Sequence, residues 1–110
     1  MTDCLFCKMS TGEVPTQKLY EDDHIFVIKD INPKASVHLL VIPKVHIDSL
    51  NEVNEGHAAL LGYMMTSLKN FAKEQGLDSF RTIVNTGKNS GQTIFHVHFH
   101  ILGGTRLSTF

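Results

Sequence analysis

Three histidines at alternate positions, His96, His98 and His100, are the most chemically distinctive feature of the sequence. They alternate with apolar residues in the segment 95–101, which reads FHVHFHI. Because successive side chains of a strand point to opposite faces, this segment predicts a β-strand with one apolar core face and one imidazole face. A neutral imidazole has an ordinary pKa of about 6.5 and is a nucleophile or proton carrier near neutral pH. The pattern therefore indicates covalent catalysis or metal binding.

Metal chelation is the alternative interpretation of the three imidazoles. With a rise of roughly 3.3 Å per residue, neighbouring histidines are about 6.6 Å apart along a strand and the outer two about 13 Å apart. A metallohydrolase with His98 and His100 as zinc ligands is compatible with this spacing, whereas all three histidines would need a sharply bent strand. On the catalytic interpretation, one imidazole attacks an electrophile and its neighbours supply protons or bind charge.

The segment 85–93, NTGKNSGQT, leads directly into the histidine strand. Its two glycines and short polar residues are typical of a loop, either a plain hairpin connection or one whose backbone N–H groups face an anion. A loop next to three imidazoles could place a bound anion in front of one of them. The combination favours chemistry on a phosphate.

Several separated motifs together resemble those of the histidine triad (HIT) family, and more narrowly its Hint-like nucleotidyl hydrolase branch. The matching segments are 30–33 (DINP), 38–44 (HLLVIPK), 46–47 (HI), Asn85, 92–100 (QTIFHVHFH) and 102–104 (LGG). The resemblance covers almost the whole chain. A set of motifs in the right order is much more specific than a single pattern.

The resemblance implies a hydrolase of nucleoside 5′-phosphoramidates and related purine nucleoside phosphate derivatives, such as those of AMP and GMP. It implies His98 as the nucleophile that forms a nucleotidyl-histidine, with His100 and His38 beside the phosphate. No cofactor is needed for this catalysis. The implied nucleotide-binding positions are Asp30 for the ribose hydroxyls, Ile31 for the base, Asn85 with both donors and an acceptor, and, for the phosphate through backbone or side chain, Gly91, Gln92 and Thr93.

Both cysteines occur in one motif, Cys4-Leu5-Phe6-Cys7. In a reducing compartment such a pair is a metal half-site or a redox pair before it is a structural disulfide. A thioredoxin-like redox pair would follow a strand, but only three residues precede Cys4. Members of the family with this motif hold a structural zinc on two cysteines and two histidines, which implies His46 and His96 as the other ligands here. Two reduced cysteines on an N-terminal turn are the alternative.

Composition limits the remaining possibilities. With 110 residues and 12.3 kDa, the chain is expected to form one domain, 1–110. Its formal net charge of −1 gives no bulk electrostatic attraction to nucleic acid or membranes. No apolar run approaches the ~20 residues that span a bilayer, and the N-terminus lacks the pattern of a signal peptide. We therefore expect a cytoplasmic protein.

Hydrophobic periodicity predicts an α+β fold with a five-stranded antiparallel sheet, one long helix and one short helix. The third strand is apolar on both faces and is predicted to be central. The resemblance further implies a homodimer whose sheets join. The predicted elements are a helix over 4–11 ended by Gly12, strands over 19–21, 24–28, 38–42, 79–84 and 95–101, and a helix over 54–75 between Asn54 and Gly76 with an apolar face that includes Met64 and Met65.

Other functions share the same residues. A dinucleoside polyphosphate hydrolase or a nucleotidyl transferase of the same family would use the same nucleophile. A nucleotide-binding scaffold protein with incidental catalysis is a third possibility. The segment 105–110, TRLSTF, replaces a longer tail with a tryptophan found in eukaryotic relatives, so the resemblance leaves the leaving group open. Arg106 could bind an acidic leaving group or be a solvated terminal residue.

Overall fold

An antiparallel five-stranded sheet with a helix packed on each face forms the framework of the protein. The computed structural model describes residues 3–109. The strand order is β1-β2-β3-β5-β4, so β3 is central as predicted. The elements are α1 (Leu5–Thr11), β1 (Tyr20–Glu21), β2 (Ile25–Lys29), β3 (Val37–Pro43), α2 (Ala58–Glu74), β4 (Arg81–Ile83) and β5 (Phe99–Gly103), with 3₁₀ turns at Leu50–Glu52, Glu55–His57 and Lys88–Ser90.

Alternating side chains of β2 and β3 divide the core into two apolar layers. Because neighbouring residues of a strand face opposite sides, each strand contributes to both layers. The layer under α2 contains Ile25, Val27, Leu39, Val41, Met64, Leu68, Phe71, Val97, Phe99 and Ile101. The layer under α1 contains Phe6, Phe26, Ile28, Leu40 and Ile42. Burial of both layers confirms the predicted two-sided coverage of β3.

The helices begin and end close to the predicted residues. Gly12 ends α1 in the left-handed conformation, with φ of 86°, which a residue without a Cβ adopts at little cost. The Asn54 side chain accepts from the Gly56 N–H at 2.8 Å, and a 3₁₀ turn then leads into α2. Met64 is buried but Met65 is 56% exposed, so Met65 was wrongly assigned to the apolar face. Within residues 3–109, no helix has the length and apolar character needed to cross a membrane.

The strand β5 begins at Phe99, and the prediction of a strand from Phe95 was wrong. The His96 N–H donates to the Ile94 carbonyl at 3.0 Å, which forms a three-residue turn that a strand ladder cannot contain. Phe95 is consequently 44% exposed instead of in the core. From Val97 onward the predicted alternation holds, because Val97, Phe99 and Ile101 are buried under α2. The predicted strand over 79–84 is likewise shortened, to Arg81–Ile83.

A carboxylate in the turn between β1 and β2 connects this hairpin to α2. Asp22 Oδ1 accepts from the backbone N–H groups of His24 and Ile25 at 2.7 and 2.9 Å. Its other oxygen accepts from the hydroxyls of Tyr20, at 2.9 Å, and Tyr63 of α2. Burial acts to raise the pKa of Asp22, but the hydrogen bonds from Tyr63, the backbone and Tyr20 outweigh it and hold the pKa below its ordinary value.

We expect Asp22→Ala to lower the free energy of unfolding by about 2 kcal/mol, because it removes an acceptor shared by a turn and two tyrosines. The matched variant Asp23→Ala, one residue along the exposed turn, should change it by less than about 0.5 kcal/mol. Urea unfolding at pH 7 measures the free energy of unfolding of both variants.

A carboxylate with a lowered pKa stabilises the fold above its unfolded pKa and loses this effect as the pH falls through the folded pKa. The difference between wild type and Asp22→Ala should therefore shrink below pH 3.8, and equal effects of both variants would contradict the assignment.

Candidate active site

A cleft of about 560 Å³ lies on the α1 face of the sheet, beside the part of β3 and β5 that α1 leaves uncovered. The antiparallel register pairs Leu40 with His100 and His38 with Leu102, so the two histidines are diagonal neighbours on one face. His98, just before β5, has the same orientation, with its ring centroid 5.0 Å from that of His100. The structure therefore brings the three predicted catalytic histidines to one cleft.

A chain of hydrogen bonds fixes the tautomers of two of these histidines. The Lys34 N–H donates to His38 Nδ1 at 3.0 Å, so the proton of the neutral His38 ring is on Nε2. His38 Nε2–H then donates to His100 Nδ1 at 2.8 Å, with Asp30 Oδ2 at 3.4 Å from the same nitrogen. The proton of His100 must consequently be on Nε2, an atom that is buried and has no hydrogen-bond partner within the described residues. An unpaired buried N–H is a donor ready for an anion.

A third hydrogen bond fixes the tautomer of His98. His98 Nδ1 lies 2.8 Å from the His96 carbonyl oxygen, and because a carbonyl only accepts, Nδ1 must carry the proton. The neutral ring therefore has its lone pair on Nε2, for which the described part of the chain offers no hydrogen-bond partner. The His98 side chain lines the cleft. The ring is in the form needed for a nucleophile.

Burial keeps all three rings neutral. It lowers the pKa of His98, against the His96 carbonyl and Asp30, which act to raise it. Burial also lowers the pKa of His38, where Asp30 opposes the shift and Lys34 adds to it. For His100, burial and then the neighbouring histidines lower the pKa to about 4. At pH 7 the cleft therefore holds three uncharged imidazoles, one of which presents a free lone pair.

The same tautomers argue against a metal ion among the catalytic residues. Ligand atoms of Asp30, His38 and His100 lie within 4.8 Å of one another, the spacing of a metal site. A metal ion needs the lone pair of a neutral imidazole. The lone pairs of His38 and His100 already accept hydrogen bonds, so neither ring offers one to an ion. The geometry thus favours the catalytic interpretation over the metallohydrolase alternative.

The predicted nucleotide-binding residues surround the cleft, with one exception. Asp30 is half-buried and its Oδ1 accepts from the Asn32 N–H at 2.8 Å. The Ile31 side chain is 91% exposed at the mouth of the cleft. The cleft is lined by Asp30, Ile31, Asn85, Gly91 and Thr93, but not by Gln92.

The Gln92 side chain braces the loop that precedes the histidines. It is buried, its Oε1 accepts from the Gly87 N–H at 2.8 Å, and its Nε2 donates to the carbonyls of Asp48 and Ile94 at 2.7 and 3.1 Å. With its amide group fully used, the side chain is not available to a phosphate. The backbone N–H of Gln92 donates to the Gly87 carbonyl at 3.2 Å, so neither the side chain nor the backbone of Gln92 offers a phosphate an unused donor in this structure.

A second cluster lies next to His98, to which its member His96 is hydrogen-bonded through the backbone. We call it the Cys₂His₂ cluster, and it consists of Cys4, Cys7, His46 and His96. Its four ligand atoms lie within 4.8 Å of one another. The distances from Cys4 Sγ to His96 Nδ1 and from Cys7 Sγ to His46 Nδ1 are both 3.3 Å. The structure thus brings together the four residues that the resemblance implied as zinc ligands.

The donor set of the Cys₂His₂ cluster fits a tetrahedral cation. His96 Nε2–H donates to the Pro43 carbonyl and His46 Nε2–H to Asp48, so both Nδ1 atoms carry lone pairs. These lone pairs face each other at 3.2 Å, which is unfavourable without a cation between them. Zinc–ligand bonds of about 2.0 to 2.3 Å imply edges of about 3.3 Å between nitrogens and about 3.6 Å between sulfur and nitrogen. Burial and the neighbouring Cys4 raise the pKa of Cys7 to about 11, so metal binding must displace its proton.

Sequence reasoning missed the residues that orient these histidines. The Lys34 N–H and the Pro43 carbonyl act through the backbone, so side-chain identity carried no signal for them. Asp48, two residues after His46, could have been recognised as the carboxylate that often accompanies a metal-binding histidine. Phe6 packs edge-on against both His96 and His98, at 5.8 and 5.1 Å between ring centroids, and the cysteine motif carried no signal for this contact.

We expect Gln92→Ala to lower the free energy of unfolding by about 2 to 3 kcal/mol, because three hydrogen bonds to backbone groups are lost. Asn89→Ala is a matched control in the same loop, where the side chain is exposed, and should have an effect below about 0.5 kcal/mol. Denaturant unfolding of both variants measures the difference. If Gln92→Ala were as stable as Asn89→Ala, the bracing role of Gln92 would be refuted.

Comparison with known proteins agrees with this geometry. Residues 3–109 match the family described as "Scavenger mRNA decapping enzyme C-term binding". Protein HitA of Neisseria gonorrhoeae is 51% identical over 104 residues, which cover 94% of this chain and 97% of that protein. A purine nucleoside phosphoramidase of Escherichia coli is 36% identical over 96% of this chain and 90% of its own length. A "14 kDa zinc-binding protein" of Zea mays is 37% identical over 94% of this chain and 84% of its own length.

The fold has a close match among solved structures. A HIT family hydrolase from Legionella pneumophila superimposes with a TM-score of 0.93 at 39% identity, over 96% of each chain. This agreement confirms the α+β architecture, in which a five-stranded antiparallel sheet carries one long helix. With its histidines gathered in one cleft and relatives that match it almost end to end, the chain belongs to the HIT family and is of its hydrolase type.

Proposed function

We propose that the protein hydrolyses nucleoside 5′-phosphoramidates and related purine nucleoside phosphate derivatives through a nucleotidyl-histidine on His98. The observation that carries this proposal is the pairing of a nucleophile with a donor. The His98 tautomer leaves the Nε2 lone pair free, and the neighbouring His100 has a buried Nε2–H without a partner in the described chain. The relative named as a purine nucleoside phosphoramidase supports the same substrate class.

In the first step, His98 Nε2 attacks the phosphorus atom of the substrate. A bond forms between Nε2 and phosphorus while the bond from phosphorus to the leaving amine breaks. The amine leaves with the bonding electron pair and takes up a proton. We assign the relay of this proton from solvent to the hydroxyl of Thr93, a residue that lines the cleft. The His100 Nε2–H donates to a phosphate oxygen and stabilises the negative charge of the transition state.

In the second step, water attacks the phosphorus atom of the nucleotidyl-histidine. The new oxygen–phosphorus bond replaces the bond to His98 Nε2, which recovers its electron pair, and a proton of the water is released to solvent. The products are a nucleoside 5′-monophosphate and the neutral His98 ring. Two displacements of moderate barrier replace a single difficult one, which is the advantage of covalent catalysis.

The remaining residues of the cleft have roles in binding the nucleotide. Asp30 keeps free acceptor capacity on both oxygens and can accept from two neighbouring ribose hydroxyls. Ile31, with its exposed side chain at the mouth, provides an apolar surface for the base. Gly91 adopts a φ of 108° that suits glycine, and its N–H donates to the Lys88 carbonyl at 3.1 Å, so we assign it to shaping the loop beside the phosphate.

We expect wild-type enzyme quenched during turnover of adenosine 5′-phosphoramidate to carry an AMP adduct on His98, detectable by mass spectrometry. His98→Ala should lose the adduct and at least about a thousandfold in kcat, because the nucleophile is gone. His24→Ala, which removes an exposed histidine outside the cleft, is the control and should keep both. An unchanged kcat in His98→Ala would rule out the proposed mechanism.

The same assay separates the alternative functions. Faster hydrolysis of diadenosine polyphosphate than of the phosphoramidate would favour the dinucleoside polyphosphate hydrolase. Transfer of the nucleotide to an acceptor other than water would favour the nucleotidyl transferase. If His98→Ala abolished hydrolysis but left nucleotide-dependent binding of a partner protein and the cellular phenotype intact, the scaffold alternative would be favoured.

We also propose that the Cys₂His₂ cluster holds a structural zinc ion, which would tie α1 to the loop at His46 and the turn at His96. The wild-type protein should contain about one zinc per chain when purified from zinc-supplemented cells. Cys7→Ser should lose the metal and melt at least about 5 °C lower, since a cross-link between distant segments is lost. Ser10→Ala on the same helix should keep both properties, and metal-free wild-type protein of equal stability would contradict the proposal.

The homodimer and the cytoplasmic location stay predictions. The outer edge of β4 pairs with no other strand in the described part of the chain, which is compatible with a sheet that continues into a second copy.

A further inference from the structure

We propose that the Cys₂His₂ cluster positions the nucleophile, and that Phe6 is a positioning residue for His98. The inference rests on the function proposed above and extends it. Two contacts connect the cluster to the His98 ring, one through the backbone of a ligand and one through an aromatic side chain between two ligands. A change in the cluster should therefore reach the reacting nitrogen.

The first contact runs through His96, which belongs to both sites. Its Nδ1 faces the cysteines, its Nε2–H donates to the Pro43 carbonyl at 2.7 Å, and its own carbonyl accepts from His98 Nδ1–H at 2.8 Å. The His96 ring is thus held at both nitrogens. This fixes the position of the His96 carbonyl, which accepts the hydrogen bond from His98. If the His96 ring were released, its carbonyl could rotate away and His98 Nδ1–H would lose its acceptor.

The second contact runs through Phe6, which lies between Cys4 and Cys7 in α1. Its ring is 1% exposed, and its edge packs against His98 at 5.1 Å and against His96 at 5.8 Å between centroids. This packing limits rotation of the His98 ring about its side-chain bonds. A phenylalanine at this position therefore holds the orientation of Nε2 without contacting the substrate's reacting atoms.

The helix that carries Phe6 depends on the cluster for its own position. With seven residues, α1 is far shorter than the ~12–15 residues at which isolated helices become even marginally stable. The N-cap residue Cys4 and the helix residue Cys7 belong to the cluster, and they connect α1 to His46 and His96 on other parts of the chain. Leu5, Phe6 and Met9 also form one wall of the cleft, so displacement of α1 would admit water beside His98.

Misorientation of the His98 ring should change kcat more than KM. The residues assigned to ribose, base and phosphate binding are in the loop after β2 and in the segment between β4 and β5, not on α1. Misorientation of the nucleophile would slow formation of the nucleotidyl-histidine without removing those contacts. A displacement of a reacting atom by about 1 Å can lower a rate by up to about a hundredfold.

The test uses Phe6→Leu, which leaves all four cluster ligands intact, and Phe71→Leu as the matched control in the opposite core layer. Four quantities are measured for each: the zinc content, kcat and KM for adenosine 5′-phosphoramidate, and the solvent-exchange rate of the His98 Nδ1 proton by NMR of ¹⁵N-histidine-labelled protein. For Phe6→Leu we expect bound zinc, a kcat lowered about tenfold with KM within about threefold, and faster solvent exchange of the Nδ1 proton. Phe71→Leu should lower the melting temperature while kcat and the Nδ1 proton stay as in wild type.

A second arm removes the metal from wild-type protein with a chelator and records the same NMR signal without substrate. Loss of the protected Nδ1 proton, with recovery on adding zinc, supports the proposal. The proposal is overturned if Phe6→Leu retains wild-type kcat and wild-type exchange of the Nδ1 proton, or if the folded metal-free protein keeps that proton protected. Should the metal-free chain unfold, Phe6→Leu with zinc bound decides the question. Absence of hydrolysis by wild-type holoenzyme would refute the proposed function alone, because the NMR comparison needs no substrate.

Discussion

The hydrogen bond from His98 Nδ1–H to the His96 carbonyl is the interaction on which the active-site geometry depends. A neutral imidazole has one proton and one lone pair, so placing the proton on Nδ1 leaves the lone pair on Nε2 beside the cleft. A backbone acceptor is suited to this task because it cannot itself ionise or change tautomer. The three-residue turn at Ile94–His96 ends at the residue that provides this carbonyl.

Around this hydrogen bond, the protein keeps polar groups buried and incompletely satisfied. The His100 Nε2–H has no partner within the described residues, and an unpaired buried donor costs about 1 to 3 kcal/mol. The two apolar layers of the core supply the stability that tolerates this cost. A phosphate oxygen that accepts from His100 would remove the penalty, so part of the affinity for an anion is prepared before it binds.

The sequence predicted the fold, and which side chains lie close together, better than it predicted local geometry. Continuous apolar runs identified β2 and β3, and Asn54 and Gly12 marked helix ends, because these signals act over a few neighbouring residues. The strict alternation at 95–101 was misleading, since the turn at His96 is held by backbone bonds that any sequence can make. The contribution of Lys34 was not predictable for the same reason, and the burial of Gln92 depends on distant Asp48.

The most direct test of the central claim is to determine which ring nitrogen carries the nucleotide. Enzyme with ¹⁵N-labelled histidine, quenched with a nucleotidyl donor, can be examined for coupling between phosphorus and nitrogen. The account predicts a single phosphorus–nitrogen bond, at Nε2 of His98, with the proton still on Nδ1. A nucleotide on Nδ1 of His98, or on His38 or His100, would contradict it.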